Sequence, residues 1–174
     1  MPETLNPVLG VDVGGVLMER MNDDADTSFF GANYLLTTAV ADAFASLKLL
    51  SSRGYRTYLV SKCGRATEEK TRHWLQYHEF FEQTGIPPEN VRFCRKRQEK
   101  AQICADLGAT YFIDDRLEVL SYLTDVPYLY LFNPDESELR QFVSILPRVT
   151  RVSSWKQVTA LLLEHLDMQR LADR

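Results

Sequence analysis

The sequence predicts an α/β fold of Rossmann-like type, a mainly parallel sheet with helices on both faces. Strand-like apolar runs alternate with segments whose apolar residues recur at helical spacing, and this alternation is typical of parallel sheets covered by helices. Three of the apolar runs, in VLGVDVGG, TYLVSKCG and TYFIDDR, pass directly into polar residues. Ligands of such sheets bind beyond the carboxyl ends of the strands, so we expect a functional site there.

Glycines and capping residues fix the limits of several elements. Gly54 and Gly108 stand where helix C-terminal caps belong, Asp135 is placed to begin a helix, and Ser154 with Gln157 forms a capping-box pattern before the last helix. The expected elements are, in chain order, strand Pro7–Val13, helix Thr38–Ser52, strand Arg56–Ser61, helix Thr67–Tyr77, strand Val91–Cys94, helix Glu99–Leu107, strand Thr110–Ile113, helix Leu117–Leu123, strand Tyr128–Phe132 and helix Leu139–Leu146.

Composition favours one domain over residues 1–174. The chain has 174 residues, 45% of them hydrophobic, and a net charge of −4, which is ordinary for a globular domain and favours neither nucleic acid nor anionic membranes. No apolar run approaches the roughly 20 residues of a membrane helix, and the start does not resemble a signal peptide. Three cysteines without zinc spacing fit a reducing compartment, so we expect a cytoplasmic protein. A local basic patch keeps nucleic acid open as a partner; its members are Arg92, Arg95, Lys96, Arg97 and Lys100.

Polar residues at three strand ends are the candidates for a site. Asp12 ends the first strand, Ser61 the second, and Asp114 with Asp115 the fourth. Any one of them alone is more often a simple polar strand cap. The acidic pair is the most informative, because two adjacent carboxylates repel each other unless a cation compensates. A hard cation with oxygen ligands does so naturally, and magnesium is the usual one in phosphate chemistry.

These residues resemble the haloacid dehalogenase (HAD) superfamily. Its pattern is an Asp that closes the first strand, a Ser or Thr that closes the second, a Lys before the fourth strand and an acidic pair after it. Here VLGVDVGGVL contains Asp12, YLVS contains Ser61, EKAQICADLGATYFIDD contains Lys100, and Asp114-Asp115 completes the set. The resemblance covers residues 8 to about 132, with Lys96 as an alternative for the lysine.

The resemblance implies a role for each position. Asp12 would attack a phosphoryl group and carry it as an aspartyl phosphate. Magnesium would bind Asp12, the backbone carbonyl of Gly14 and Asp115, with Asp114 in support. The catalytic set would be completed by Ser61 as a hydrogen-bond donor to the phosphoryl group and by Lys100 as its counter-charge. The substrate-binding set is Gly14, Gly15, Ser61, Lys62 and Lys100.

Position 14 departs from the pattern. In HAD phosphatases the second residue after the nucleophile is normally a second Asp, the general acid and base, and here it is Gly14. Glycine cannot protonate a leaving alkoxide or activate water, and a general acid is typically worth roughly 10²–10⁴ in rate. Three outcomes stay open: a phosphatase for good leaving groups or with an acid from elsewhere, a HAD member with different chemistry, such as a dehalogenase or phosphonate hydrolase, and a protein that binds phosphate and metal without turnover.

A second family shares part of the first motif. The stretch GVDVGG also resembles the first phosphate loop of sugar-kinase and actin-like ATPases. Those enzymes need two such domains and a second Asp-Gly phosphate loop. This chain is too short for that and has no second loop, so the HAD resemblance is favoured.

Substrate choice in the HAD superfamily lies largely in cap insertions, and here there is room only for a short flap at about residues 18–37, MERMNDDADTSFFGANYLLT. The chain therefore looks capless, with an open site that goes with macromolecular substrates or with closure by oligomerisation. Three aromatic residues of this flap could close over a substrate or pack on the core, namely Phe29, Phe30 and Tyr34. Three acids of the flap fit a solvated turn, namely Asp23, Asp24 and Asp26. The stretches GATYFIDDR and RVSSWKQV look like the 5′-nucleotidase and polynucleotide-phosphatase branches, which implies a nucleotide or nucleic-acid end as substrate. The HAD resemblance as a whole implies a phosphorylated small molecule or nucleotide.

Two functional hypotheses follow. The first is a magnesium-dependent HAD-type phosphatase that acts through an aspartyl phosphate on Asp12, weakened by Gly14. The second is a non-catalytic HAD-fold module that binds a phosphorylated ligand or a protein partner. Cys63, next to the site, is expected to be a packed thiol rather than a nucleophile, because no histidine is placed to activate it. The three histidines, His73, His78 and His165, lie in predicted helical segments without ligand spacing and are assigned no role.

Overall fold

The sheet is parallel throughout. The computed structural model describes residues 6–20, 29 and 31–174, and in that part of the chain six parallel strands lie in the order β3-β2-β1-β4-β5-β6. The strands are β1 (Val8–Val11), β2 (Arg56–Lys62), β3 (Val91–Cys94), β4 (Tyr111–Asp114), β5 (Tyr128–Phe132) and β6 (Val149–Val152). The predicted α/β class is confirmed.

Seven α-helices connect or flank these strands in the described residues. They are α1 (Ala43–Ser52), α2 (Arg65–Tyr77), α3 (Phe80–Thr84), α4 (Glu99–Leu107), α5 (Leu117–Tyr122), α6 (Glu136–Leu139) and α7 (Trp155–Ala172), with short 3₁₀ segments at Tyr34–Leu36, Pro88–Asn90 and Val143–Arg148. The predicted bounds of β3, α4 and β5 are confirmed, and the others differ by a few residues except where described below. None of these helices is both long and apolar enough to cross a bilayer.

Alternating side chains of the strands feed two hydrophobic clusters, one on each face of the sheet. On one face Leu9 packs in a cluster with residues of α1, α2 and α7, including Trp74 and Trp155. On the other face Phe112 packs in a cluster with residues of α4 and α5, including Leu120. Gly10 lies between these layers where a Cβ would approach the Phe112 ring to 2.4 Å, so this position of β1 requires glycine. Helices therefore cover both faces, as the sequence predicted.

The first predicted helix begins five residues later than expected. Residues 38–40 pair instead with the start of the flap, through hydrogen bonds from Glu19 N to Thr38 O (2.9 Å) and from Val40 N to Leu17 O (2.9 Å). Asp42 then adopts a left-handed conformation, with φ of 65°, and α1 starts at the next residue. The backbone hydrogen bonds of residues 38–40 are thus satisfied outside any helix.

The last third of the chain contains the main error of the sequence-based prediction. The helix predicted at Leu139–Leu146 is wrong: α6 ends at Leu139, Phe142 leaves the helical conformation, and a 3₁₀ segment leads into β6. Asp135 does cap α6, since its carboxylate accepts a hydrogen bond from Ser137 N. Strand β6 was not predicted, because as an edge strand it buries only Val152 and carries no apolar run.

A candidate metal and phosphate site

The strand order brings the predicted site residues to one edge. Strand β1 lies between β2 and β4, so Asp12, Ser61 and Asp114 share the carboxyl end of three adjacent strands. A hydrogen bond from Asp12 N to Ile113 O (3.0 Å) continues the β1–β4 pairing to the aspartate itself. Parallel strands thereby place three polar side chains together that are far apart in sequence.

Three carboxylates meet at this edge. Asp12, Asp114 and Asp115 each offer one oxygen, and these oxygens all lie within 4.8 Å of one another. Asp114 is fully buried, and Asp12 and Asp115 are nearly so. Repulsion and burial both oppose three negative charges in such a space, so the arrangement requires positive charge nearby.

Lys100 supplies one positive charge. Its Nζ donates hydrogen bonds to Asp12 Oδ1 (2.8 Å) and Asp114 Oδ2 (2.9 Å), and the side chain is only 2% exposed. Burial alone would lower the pKa of Lys100, but the carboxylates of Asp114 and Asp12 outweigh it and raise this pKa above its usual value. Of the two lysines considered for this position, Lys96 is exposed, and Lys100 is the one that reaches the aspartates.

Asp115 has a different environment from its neighbour. Its Oδ2 pairs with the Arg20 guanidinium at 2.5 Å, while its Oδ1 is buried without a hydrogen-bond partner among the described residues. Burial, followed by the charges of Asp12 and Asp114, raises the pKa of Asp115 to about 8. A buried carboxylate oxygen without a donor is costly, and it is a site at which a cation would be stabilising.

The two glycines after Asp12 differ. Gly15 has φ of +80°, and a Cβ there would lie 2.2 Å from Asp115 Oδ2, so only glycine permits this close approach. A Cβ at Gly14 would meet no described atom within 4 Å, and Gly14 is not among the positive-φ glycines. Position 14 therefore has room for a side chain that the sequence does not supply.

An open cavity of about 530 Å³ lies over these groups. Of the predicted site residues, six line the cavity, and Gly15 and Asp115 do not: the six are Asp12, Gly14, Ser61, Lys62, Lys100 and Asp114. Six further polar residues line the cavity and had not been predicted as site residues, namely Glu19, Arg20, Thr67, Thr71, Arg97 and Arg116. Two signals could have found part of this set: Thr67 and Thr71 lie one turn apart at the start of the helix after β2, and Arg116 directly follows the acidic pair.

The other residues singled out in the sequence have mostly structural partners. Cys63 is a buried thiol, as expected, and burial raises its pKa. Phe29 lines the cavity and also packs against the core, whereas the Tyr34 hydroxyl hydrogen-bonds to His73 Nδ1 (3.1 Å). The predictions for Phe30 and for the acids of the turn fall outside the described residues; those acids are Asp23, Asp24 and Asp26.

The basic residues of positions 92–100 do not act together. Lys100 is buried in the site, Arg95 pairs with Glu68 at 2.6 Å, and Arg97 pairs with Glu118. Arg92 lies over the Tyr58 ring and Lys96 is exposed, so the five residues have separate environments and do not form the predicted patch.

Comparison with known proteins identifies the fold. No family model and no curated protein matches the sequence, but solved structures do. D,D-heptose 1,7-bisphosphate phosphatase from B. bronchiseptica, complexed with magnesium and phosphate, aligns over 91% of this chain and 99% of its own, at 12% identity and a TM-score of 0.66. A HAD family hydrolase from Deinococcus radiodurans R1 with bound phosphate and sodium aligns over 92% and 96%, at 13% identity and a TM-score of 0.62. 3-Deoxy-D-manno-octulosonate 8-phosphate phosphatase from Moraxella catarrhalis, in complex with magnesium, phosphate and KDO, aligns over 96% and 92%, at 12% identity and a TM-score of 0.55.

The chain thus has a HAD-like fold, and the part of it that the structure describes contains no separate cap domain. Asp12 directly follows β1, which pairs with the strand that leads into the acidic pair, and this is the arrangement expected from the sequence resemblance. Identities of 12–13% show the fold and leave the activity to be argued from the site.

Proposed function

We propose that this protein is a magnesium-dependent HAD-type phosphatase that acts in a reducing, cytoplasmic environment. The observation that carries the proposal is a cluster of three carboxylates beside an open cavity, in which Lys100 binds Asp12. Its fold neighbours include phosphatases whose crystals contain magnesium and phosphate, which supports the same chemistry here.

The residues present fit a magnesium ion. Magnesium prefers carboxylate and carbonyl oxygens, and Asp115 Oδ1 is a buried oxygen without a described partner. We assign the ion to Asp12, Asp115 and the backbone carbonyl of Gly14, with Asp114 in support through its bond to Lys100. When bound, magnesium would neutralise charge on the phosphoryl group and orient it.

The chain's own groups then account for phosphoryl transfer. A carboxylate oxygen of Asp12 attacks phosphorus, and the bond to the leaving oxygen breaks with its electron pair. Lys100 holds Asp12 in place through the 2.8 Å hydrogen bond and balances negative charge as it develops. Ser61, at the end of β2 and in the cavity lining, donates a hydrogen bond to a phosphoryl oxygen. Water finally hydrolyses the aspartyl phosphate.

The cavity favours an anionic substrate. Lys62 and Arg116 line it, and neither forms an ion pair within the described residues. Cations without partners attract phosphorylated molecules into a cleft. A phosphorylated small molecule or nucleotide therefore remains the proposed substrate class, and 5′-nucleotide and polynucleotide ends belong in the test set.

The test is a panel of alkyl, aryl and acyl phosphates, nucleoside monophosphates and 5′-phosphorylated oligonucleotides, assayed with and without magnesium. We expect magnesium-dependent release of phosphate that Asp12→Asn abolishes. Asp125→Asn is the matched control and should keep wild-type turnover, because Asp125 is exposed and lies outside the lining of the candidate site. Tight phosphate-ester binding without turnover anywhere in the panel would instead support the non-catalytic module, which the glycine at position 14 favours.

A further inference from the structure

The proposed phosphatase needs a proton donor that position 14 does not provide. Gly14 lines the cavity beside Asp12, and the space that a side chain would occupy there is open. An alkoxide leaves slowly unless an acid protonates it, and a general acid or base supplies roughly 10²–10⁴ in rate. Another acid of the cavity would have to reach the same space.

Only one acid among the described lining residues is available for that role. Three line the cavity, namely Asp12, Asp114 and Glu19. Asp12 is the proposed nucleophile. Asp114 is fully buried and accepts hydrogen bonds from Lys100 and from Arg116 N, so it is not free to exchange protons with a substrate. Glu19 is exposed, and within residues 6–20, 29 and 31–174 its carboxylate has no hydrogen-bond or ion-pair partner.

The backbone of Glu19 is held close to position 14. Its neighbour Met18 forms β-bridges with Gly14 on one side and Ala39 on the other, and Met18 O accepts a hydrogen bond from Gly15 N (2.8 Å). Glu19 N in turn donates to Thr38 O (2.9 Å). Bridged backbones lie about 5 Å apart, so Glu19, the residue after Met18, lies near position 14, and both residues line the same cavity. A fixed backbone with an unpartnered carboxylate suits a proton carrier.

We infer that Glu19 is the general acid and base of this site, in place of the carboxylate missing at position 14; the inference rests on the proposed phosphatase activity. In the first step the protonated Glu19 gives its proton to the leaving oxygen as the phosphorus–oxygen bond breaks, so the product leaves as an alcohol. In the second step the Glu19 carboxylate takes a proton from water as the water oxygen attacks phosphorus. The bond to Asp12 breaks, Asp12 regains its carboxylate, inorganic phosphate forms and Glu19 is protonated again.

The test compares Glu19→Gln with wild type on alkyl and aryl phosphates in the presence of magnesium. Turnover of alkyl phosphates should fall by about 10²–10⁴, the usual contribution of a general acid and base. An aryl phosphate needs no acid for its leaving group, so its first turnover should stay fast while the second step slows. Glu19→Gln should therefore release a burst of phenol equal to the enzyme concentration and accumulate phosphorylated Asp12.

Rescue makes the test specific. Gly14→Asp introduces a carboxylate into the open space, so the double variant Gly14→Asp/Glu19→Gln should recover alkyl phosphate turnover and lose the burst. Glu164→Gln, an exposed glutamate of α7, is the matched control and should behave as wild type. Thermal melting confirms that each variant is folded.

Two results would overturn the assignment of Glu19 while leaving the phosphatase intact. One is a Glu19→Gln protein with wild-type rates on both substrate classes alongside an inactive Asp12→Asn. The other is a comparable loss in Lys62→Met or in the triple variant Asp23→Asn/Asp24→Asn/Asp26→Asn instead of Glu19→Gln. Absence of wild-type turnover on every phosphate would overturn the proposed function and this inference together.

Discussion

The carboxyl and amino ends of the sheet both bury polar side chains, but they satisfy them in different ways. At the carboxyl end Asp12 and Asp114 share the ammonium group of Lys100, while Asp115 pairs with Arg20 through one oxygen and has no described donor at the other. At the amino end the Tyr55 hydroxyl donates to Leu162 O at 2.6 Å, and the Tyr111 hydroxyl hydrogen-bonds to His165 Nδ1. The first cluster is charged and has one oxygen without a described donor, while the tyrosine hydroxyl groups of the second both have hydrogen-bond partners.

This difference suits the carboxyl end of the sheet to ligand binding and the amino end to stabilising the fold. Burial raises the pKa of Tyr111 and raises that of Tyr130 to about 12, so these phenols stay neutral between pH 5 and pH 8. The Tyr111 and Tyr128 rings stack with centroids 5.0 Å apart, which adds packing without charge. Only the carboxyl end keeps buried negative charge whose cost a bound cation would offset. We therefore expect substitutions at the two ends to differ in size, pH dependence and metal dependence.

Among these substitutions, Lys100→Met should cause the largest decrease in the free energy of unfolding. Removing one partner of a buried ion pair typically costs about 3–5 kcal/mol, and here the loss leaves Asp12 and Asp114 without their shared donor. Urea unfolding in the presence of a chelator measures this loss, with the exposed Lys96 changed to Met as control, where a surface substitution usually costs within about 0.5 kcal/mol. Equal stabilities of the two variants would show that the carboxylates are not held by Lys100.

The pH dependence of stability should come from the carboxyl end. Because the folded-state pKa of Asp115 is raised to about 8, the folded protein binds a proton that the unfolded chain releases near pH 4. Between about pH 4 and pH 8 the free energy of unfolding of the metal-free protein should therefore fall as the pH rises. The full loss should be reached above about pH 8. Asp115→Asn should flatten this slope, whereas Asp125→Asn should retain it.

Magnesium provides the second half of the same experiment. A ligand that binds only the folded state stabilises it by mass action, so millimolar magnesium should raise the melting temperature of wild type near pH 8 and not that of Asp115→Asn. A wild-type protein indifferent to magnesium would contradict the assigned metal site.

Sequence patterns predicted the parts of the molecule that depend on local signals. The buried apolar residues of β4 and the acidic pair after them lie within six residues. The segment TYFIDD was therefore sufficient to predict both the strand and the acidic pair. Lys100 could be predicted only as a member of a family pattern, since its burial depends on the packing of α4 against the sheet. The contact of Arg20 with Asp115 joins residues 95 positions apart, and no local pattern in the sequence indicates it.

The two main errors of the prediction, at β6 and at Leu139–Leu146, also concern segments whose structure depends on contacts with distant residues. Strand β6 carries the sequence VTRV and buries one side chain, so its strand character comes from pairing with β5 rather than from its composition. The helix predicted at Leu139–Leu146 is interrupted at Phe142, where tertiary contacts of Phe142, Ile145 and Leu146 with the cluster beneath them outweigh helical periodicity.

Tyr111→Phe should have the smallest effect and serves to show that the two ends are independent. The substitution removes the hydrogen bond to His165 Nδ1 but keeps the ring stacked on Tyr128. Because His165 is only half-buried, water can replace the lost partner, and the expected cost is about 1 kcal/mol. In a domain of this size that corresponds to a decrease in melting temperature of roughly 2–4 °C. At pH 8 the loss should be the same with or without magnesium, and phosphate release should match wild type. A tenfold or greater fall in turnover for Tyr111→Phe would show instead that β4 transmits changes from its amino end to the acidic pair at its carboxyl end.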